Sequence, residues 1–294
     1  MTEPLFETIC FVGIGHINSS LARAIRQQGL ARRLVTLEIS DKARATALEL
    51  GIVDAAFAEA AEAIPEANLV VIGTPVGAIE AVGQAIGAHL SPGTIVTDVG
   101  SVKLGVIRDL MPFIPDGVHF VPGHPIAGTE FSGPESGLAE LFRGRWHILT
   151  PLPGGDENAT AKVAALWGRV GAQVEIMDPS HHDKVLAITS HLPHLIAYTI
   201  VGTASDLEEH LAQEVIKFSA SGFRDFTRIA ASDPVMWRDI FLNNREAVLE
   251  VIQRFTEDLT ALQRAIRWGE GEVLEDRFRK TRAIRRAIID ARQA

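Results

Sequence analysis

The chain has 294 residues, of which 47% are hydrophobic and 22% charged, and its formal net charge is −9. This length predicts about two domains at roughly 150 residues each, and the acidic balance argues against general binding of nucleic acid or of anionic membranes. The single cysteine, Cys10, excludes an internal disulfide, fits a reducing compartment and is expected to be buried in the first apolar run.

Short β-rich runs alternate with helical patterns through the first half of the chain. The chain begins without the basic and apolar regions of a secretory signal, so we expect a cytoplasmic protein. A first apolar run at residues 9–12 breaks at glycine, and a helical pattern follows over 17–28. Further strands are predicted at 34–37, 69–72, 94–97, 118–121, 147–149 and 174–177. This alternation predicts an α/β fold with a Rossmann-type, doubly wound parallel sheet.

The pattern changes after Asp178-Pro179, where strand-like runs largely end. Helical spacing is seen over residues 185–202, 207–218, 234–268 and 273–292, and Pro193 is expected to start or kink a helix. No stretch has the roughly 18 uninterrupted apolar residues of a membrane span, so no membrane partner is expected. We place a boundary near residue 178, which gives a dinucleotide-binding domain over 1–178 and an all-helical domain over 179–294.

The most specific local signal is the run GIGHIN at residues 13–18, between the first predicted strand and the first predicted helix. Gly13 permits a tight turn, and Gly15 lets the backbone approach a pyrophosphate at the helix N-terminus. We therefore expect Gly13, Gly15, Ile17 and Asn18 to lie at a bound dinucleotide. Glu38 ends the second strand, where a carboxylate accepts hydrogen bonds from ribose hydroxyls.

The cofactor choice and two later turns leave alternatives open. Glu38 favours NAD because it repels a 2′-phosphate, but basic residues nearby keep NADP as an alternative: Arg32, Arg33, Lys42 and Arg44. The turns that contain Thr74, Pro75, Asp98 and Ser101 follow predicted strands, where parallel sheets bind ligands. Cofactor contact and ordinary turn chemistry both fit these turns.

Four further segments stand out together: DVGSVK at 98–103, GHPIAGTE at 123–130, SHLPH at 190–194 and GFRDFTRIA at 222–230. With the glycine turn, they resemble the prephenate/arogenate (cyclohexadienyl) dehydrogenase family of tyrosine biosynthesis over nearly the whole chain. Asn18 departs from the glycine that is usual at its position in that family.

The resemblance implies a reaction and a role for each motif. The reaction is NAD(P)-dependent oxidation of a 4-hydroxycyclohexadiene with loss of its ring carboxylate, from prephenate to 4-hydroxyphenylpyruvate or from arogenate to tyrosine. By match to the family, His124 is the base for the ring hydroxyl, and neutral histidine suits that work. Ser101 matches the serine that orients the histidine and the hydroxyl. Arg228 and His194 match residues that hold substrate carboxylate, for which a guanidinium fork is well shaped.

Thr129 and Glu130 end the motif that contains His124, and Trp237 lies nine residues after Arg228. Thr129 and Glu130 resemble residues that gate or select substrate, although Glu130 equally fits a solvated acid. Trp237 lines the substrate side-chain pocket or belongs to a helix core.

Three further histidines have structural readings. His191 is expected to be buried and hydrogen-bonded, while His181 and His182 are expected to be solvated. No metal is expected, because neither cysteine nor a matching acidic set accompanies the His191 and His194 pair.

The resemblance also implies a homodimer through the helical half. Two alternatives remain. A hydroxyacid or imine dehydrogenase needs a lysine on the first helix after the junction, where Lys184 is the nearby candidate. A non-catalytic dinucleotide-sensing dimer, acting through the basic stretch from Glu275 to Ala294, would keep Glu38 without needing His124 and Arg228.

Overall fold

The computed structural model of the chain describes residues 3–129, 131–205, 217 and 221–290. The chain divides into two compact units, Met1–Arg245 and Glu246–Ala294. The domain boundary expected near residue 178 lies inside the first unit and stays a prediction.

A six-stranded parallel sheet, in the order β3-β2-β1-β4-β5-β6, forms the centre of the first unit. Its strands are Phe6–Val12 (β1), Ala31–Leu37 (β2), Ala55–Phe57 (β3), Leu69–Ile72 (β4), Ile95–Asp98 (β5) and His119–Val121 (β6). The order reverses between β1 and β4, which places a crevice at the carboxyl ends of these two strands. The predicted doubly wound parallel sheet is confirmed.

A second sheet has the order β7-β8-β9 and contains Gly123–Pro125 (β7), Trp146–Leu149 (β8) and Gln173–Ile176 (β9). β7 pairs antiparallel with β8, and β8 pairs parallel with β9. β3 and β7 were not predicted, because the alanines of β3 and the glycine and proline of β7 have low β propensity.

Helices cover both faces of the large sheet. The helices before residue 178 are His16–Gln28 (α1), Asp41–Glu49 (α2), Ala60–Ala63 (α3), Ile79–Ile86 (α4), Leu104–Leu110 (α5) and Glu157–Arg169 (α6). Ile9 and Phe11 of β1 point to the face covered by α1 and α6. Cys10 and Val12 point to the opposite face, and burial raises the pKa of the Cys10 thiol to about 12. This alternation is what a strand buried on both sides requires.

The helical region continues with Pro179–Leu186 (α7), Leu192–Ser205 (α8), Ser221–Thr227 (α9), Pro234–Asn243 (α10), Arg245–Trp268 (α11) and Gly271–Asp290 (α12). A π-helical turn, Ala187–His191, joins α7 to α8, and Pro193 lies at the start of α8, as predicted. The prediction of a single helix over 234–268 is wrong, because the helix is interrupted at Asn244. The helix predicted over 207–218 falls almost entirely outside the described residues.

Helix α10 packs against the sheet, since Trp237 and Ile240 belong to the core on the α4 and α5 side. The first compact unit therefore extends through residue 245.

One helical stretch among the described residues, Pro179–Ala204, is long and apolar enough to span a membrane. Only 22% of its most apolar window is buried within the described chain. The core helix of a soluble protein passes the same test of length and composition.

The second unit contains α12 and nearly all of α11, joined by a turn in which Gly269 has φ of 67°. The Arg277 guanidinium lies 2.9 Å from the Asp258 carboxylate and links the two helices. Several large apolar side chains are exposed here: Leu249, Leu259, Ile266, Trp268, Val273, Phe278 and Ile284. Such a set of exposed apolar residues is typical of a surface that another chain covers.

Candidate active site

The glycine turn lies at the carboxyl end of β1, beside the turn after β4. Gly13 has φ of 79°, which favours glycine, and its N–H donates to the Leu37 carbonyl over 2.8 Å. A Cβ at Gly13 would lie 3.1 Å from the Thr74 methyl group, whereas a Cβ at Gly15 would meet no atom within 4 Å. Gly15 is the N-cap of α1, whose first turn contains no acidic residue. The arrangement leaves open space at a helix N-terminus, which suits an anion such as a pyrophosphate.

Glu38 follows β2 and lies next to this turn. Its carboxylate accepts the N–H of Ile14 over 3.1 Å and the N–H of Ser40 over 2.8 Å. Arg44 donates to the Glu38 carbonyl and pairs with the Asp41 carboxylate. The glycine turn and Glu38 are therefore one connected structure, and the predicted ribose contact stays a prediction.

The side chain of Asn18 hydrogen-bonds the backbone of the nucleotide-binding turn. Its side chain is buried, and its Nδ2 donates to the carbonyls of Gly13 over 2.7 Å and Val71 over 3.1 Å. Gly73 faces it so closely that a Cβ there would collide with the Asn18 amide. The larger side chain in α1 is thus accommodated by a glycine after β4. These contacts are internal, and the predicted contact of Asn18 with a cofactor stays a prediction.

The 98–103 turn is held by a buried ion pair. The Asp98 carboxylate accepts the N–H of Gly100 over 2.8 Å and of Gly123 over 3.1 Å, and pairs with the ammonium of Lys103. Lys103 also donates to the Gly123 carbonyl over 2.6 Å. These bonds fasten the turn to the residue before His124. The Asp98 side chain is fully buried in this role, and its predicted cofactor contact stays a prediction.

Ser101 lies in this turn and is half-buried. Within the described part of the chain, no hydrogen bond joins its hydroxyl to His124. Its predicted role in orienting that histidine stays a prediction.

His124 is buried on β7 and begins a line of three titratable side chains. Its Nδ1 lies 2.9 Å from Nε2 of His182, and Nδ1 of His182 lies 2.8 Å from the Asp183 carboxylate. That carboxylate also accepts the backbone N–H of Lys103 over 2.8 Å and of Leu104 over 2.9 Å. We call His124, His182, Asp183 and Lys103 the base cluster.

The base cluster corrects one expectation, because His182 is completely buried rather than solvated. Sequence reasoning missed His182 and Asp183, since their position on α7 says nothing about which strand end they meet. The buried Lys103 was likewise read only as part of a motif.

Burial sets the protonation of this cluster. Burial lowers the pKa of His124 well below its ordinary value of 6.5, and the charges of His182 and Lys103 lower it further. Burial also lowers the pKa of His182, although its hydrogen bond to Asp183 opposes this shift. The imidazole of His124 is therefore neutral at neutral pH, as a general base must be.

Asn244, at the end of α10, extends the cluster. Its Nδ2 lies 2.8 Å from the Asp183 carbonyl and 3.0 Å from Nδ1 of His191. His191 is fully buried, which confirms its structural reading, and burial lowers its pKa to about 4. The break between α10 and α11 thus positions a residue that supports the base cluster.

A second group of predicted residues, the cation edge, consists of His194, Trp237 and Arg228. The His194 ring stacks on the Trp237 indole with a centroid distance of 3.6 Å, and its Nδ1 donates to the Ser190 carbonyl over 2.9 Å. Arg228 is exposed, and its charge helps burial lower the pKa of His194. Trp237 is buried in the sheet core, as its core reading expects, and its predicted place in the substrate pocket stays a prediction.

Thr129 lies on the connection from β7 to β8, with its hydroxyl 3.4 Å from Nε2 of His16. Glu130 lies outside the described residues. Among the described residues, no group of three or more histidine, cysteine, aspartate or glutamate side chains is arranged to hold a metal ion. A metal-free site stays a prediction.

Comparisons with known proteins show the family of the chain. The nucleotide-binding domain of prephenate dehydrogenase matches residues 21–176, and the dimerization domain of prephenate dehydrogenase matches residues 178–280. A cyclohexadienyl dehydrogenase of Zymomonas mobilis is 40% identical over 97% of this chain and 97% of its own length. A prephenate dehydrogenase of Bacillus subtilis is 35% identical over 93% of this chain and 73% of its own length.

Solved structures give the same result. The crystal structure of a prephenate dehydrogenase from A. aeolicus, in complex with hydroxyphenyl propionate and NAD+, superposes with a TM-score of 0.90 at 34% identity. The match covers 98% of this chain and 99% of that one. The chain belongs to the prephenate dehydrogenase family of oxidoreductases.

Proposed function

We propose that this chain catalyses the NAD-dependent oxidative decarboxylation of prephenate to 4-hydroxyphenylpyruvate, of arogenate to tyrosine, or of both. The observation that carries this proposal is the buried line from His124 through His182 to Asp183, which begins on the strand next to the 98–103 turn. It supplies a neutral base with a defined free nitrogen.

The direction of the hydrogen bonds in the base cluster follows from Asp183. A carboxylate accepts, so Nδ1 of His182 donates to it, and Nε2 of His182 is left as an acceptor. Nδ1 of His124 then donates to His182, which leaves Nε2 of His124 with a free lone pair. His124 is the catalytic base for the ring hydroxyl, while His182 and Asp183 are positioning residues that select its tautomer.

The residues around the glycine turn fit a dinucleotide. Open space at Gly15, the N-terminus of α1 and the Glu38 carboxylate would hold its pyrophosphate and a ribose. When bound, the nicotinamide accepts a hydride from the hydroxyl-bearing ring carbon. We favour NAD over NADP because Arg44 is paired with Asp41, while Arg32 pairs with Glu7.

The protein's own steps concern the proton and the carboxylates. His124 takes the proton of the ring hydroxyl as that carbon is oxidised. The ring carboxylate then leaves as carbon dioxide, and its bonding electrons complete the aromatic ring. His124 returns its proton to the phenolic oxygen, so the residue ends as it began.

The cation edge holds substrate carboxylate in this scheme. Arg228 supplies a permanent positive charge, and His194 is fixed in orientation by Trp237 and by the Ser190 carbonyl. Thr129, on the β7–β8 connection, faces the substrate in this scheme. Glu130 and Ser101 keep the substrate and orienting roles that the family resemblance implies.

A homodimer completes the proposal. The weakly buried stretch Pro179–Ala204 and the exposed apolar side chains of α11 and α12 overlap the region matched by the dimerization domain. A second copy would remove these surfaces from water. A charged, water-soluble substrate and cofactor fit a cytoplasmic enzyme.

The experiment supplies purified protein with prephenate or arogenate, each with NAD or NADP, and follows reduced cofactor and aromatic product. We expect turnover, and a His124→Asn variant is expected to lose about 10³-fold in kcat, the loss typical of a missing general base. Its NAD affinity should match the parent. Absence of turnover in all four combinations, from protein that binds NAD, contradicts the proposal.

The same assay addresses the alternatives. Lys184, which a hydroxyacid dehydrogenase would need, is exposed on α7. Reduction of NAD by 3-hydroxyacids, but not by prephenate or arogenate, would favour that enzyme class.

A further inference from the structure

His16 connects the nucleotide-binding turn to the connection between β7 and β8. It follows Gly15 as the first residue of α1 and is buried. Its Nδ1 lies 3.0 Å from both the carbonyl and the hydroxyl oxygen of Ser136. Its Nε2 lies 3.4 Å from the hydroxyl of Thr129.

The chemistry of the partners assigns the protons. A carbonyl only accepts, so Nδ1 of His16 donates to Ser136. Nε2 is then an acceptor for the Thr129 hydroxyl, whose oxygen accepts the N–H of Phe131 over 3.3 Å. Burial lowers the pKa of His16, although the Ser136 carbonyl opposes this shift, so the neutral ring required by this pattern is favoured.

Two more contacts fasten the same connection to α1. The Ser20 hydroxyl accepts the N–H of Leu138 over 2.9 Å and donates to the His16 carbonyl over 2.7 Å. Gly137 lies against Ser19, and a Cβ at Gly137 would lie 3.0 Å from the Ser19 carbonyl carbon. Through these contacts, residues 137 and 138 pack directly against the start of α1.

We propose that His16 is a positioning residue that couples dinucleotide binding to substrate binding, by holding Thr129 to the N-terminus of α1. The inference rests on the proposed function, in which the N-terminus of α1 meets the pyrophosphate and Thr129 faces the substrate. A ligand that orders residues 15 and 16 orders Thr129 through the imidazole. By linkage, a ligand beside Thr129 strengthens dinucleotide binding by the same factor.

The experiment measures the Kd of NAD by calorimetry, with and without saturating 4-hydroxyphenylpyruvate, which forms a non-reacting pair with NAD. The parent is compared with His16→Leu, which removes both polar contacts. His16→Asn keeps an amide donor near the position of Nδ1. The matched control is His89→Leu. His89 precedes the amino end of β5, whereas His16 follows the carboxyl end of β1.

We expect the aromatic product to tighten NAD binding about tenfold in the parent and in His89→Leu. In His16→Leu the factor should fall below about twofold, and His16→Asn should restore part of it. KM for the substrate should rise in His16→Leu while kcat changes less. A purely structural role would lower the content of active protein without changing this ratio of Kd values.

Two results would overturn the inference: the parent coupling factor persists in His16→Leu, or the parent turns over substrate but shows no coupling. If His16→Leu does not fold, the variants Thr129→Val and Ser136→Ala remove the two partner hydroxyls one at a time. Unchanged coupling in Thr129→Val then overturns the inference. Loss of turnover with every substrate and cofactor, by contrast, contradicts the proposed function itself.

Discussion

The base cluster and the cation edge both contain histidine, but the protein holds them in different ways. His124, His182, Asp183 and Lys103 are almost completely withdrawn from water, and hydrogen bonds from three elements fix them. In the cation edge, Arg228 is exposed and His194 is half-buried. A base needs a defined tautomer, which the hydrogen bond to His182 provides, and a neutral ring at neutral pH, which burial favours. A carboxylate-binding group needs a permanent charge that stays accessible.

This difference predicts that the two groups affect different kinetic constants. Changes in the base cluster should lower kcat, because they alter a proton transfer in the transition state. Changes in the cation edge should raise KM, because they alter binding of a group that does not react.

After His124→Asn, the largest effect is expected for Asp183→Asn. The amide would present its NH2 either to His182 and the backbone N–H of Lys103, which share one carboxylate oxygen, or to the backbone N–H of Leu104. The first arrangement reverses the hydrogen bonds along the line. Nε2 of His124 would then be protonated and unable to act as a base. We expect kcat to fall about 10²-fold, measured at saturating substrate.

The matched control for this change is Asp178→Asn. Asp178 caps the same helix through the N–H groups of Ser180 and His181, and asparagine caps equally well. Its kcat should stay within about twofold of the parent. Equal losses in both variants would show that the cluster acts only through the fold of α7.

A smaller effect, confined to KM, is expected for Arg228→Ala. Loss of a charge-assisted hydrogen bond to a carboxylate should raise KM about 30-fold and leave kcat within a fewfold of the parent. Arg224→Ala, an exposed arginine four residues earlier, is the control and should change KM less than twofold, an effect typical of exposed charges. A fall in kcat with unchanged KM in Arg228→Ala would contradict the binding role and show that Arg228 acts in the chemical step.

Gly73→Ala tests the close packing of the nucleotide-binding side. The added methyl group would collide with the buried Asn18 amide, and we expect a loss of about 1–3 kcal/mol in the free energy of unfolding, measured with denaturant. Asn18→Gly in the same chain should recover part of the loss. Gly168→Ala, where a Cβ meets no atom within 4 Å, should not destabilise the protein. Additive losses in the double variant would contradict the proposed fit.

The smallest effect is a displaced pH profile. Burial, His182 and Lys103 lower the pKa of His124, and the neutral ring is the active form. Activity should therefore persist as the pH falls through 6.5 and be lost only below it, as the pH passes the lowered pKa. The measurement is kcat against pH, with His124→Asn expected to lack this acidic limb. A midpoint at or above 6.5 in the parent would contradict the burial argument.

Much of the nucleotide-binding side was readable from the sequence. Continuous apolar runs predicted the buried strands, and the position of GIGHIN between a strand and a helix predicted the turn at β1. Such signals are local, because backbone geometry and hydrophobic period depend on neighbours in sequence. The motifs around His124 and Arg228 indicated the family on the same local basis.

The tertiary structure decided which side chains act together. His124 lies 58 residues from His182, and Asn244 lies 61 residues from Asp183, so no local pattern joins them. The same holds for Gly73 opposite Asn18 and for His16 beside Thr129. Residue type and spacing determined the elements and the candidate chemistry. The contacts that select a tautomer, bury a charge or compensate for a missing glycine exist only after distant segments have packed together.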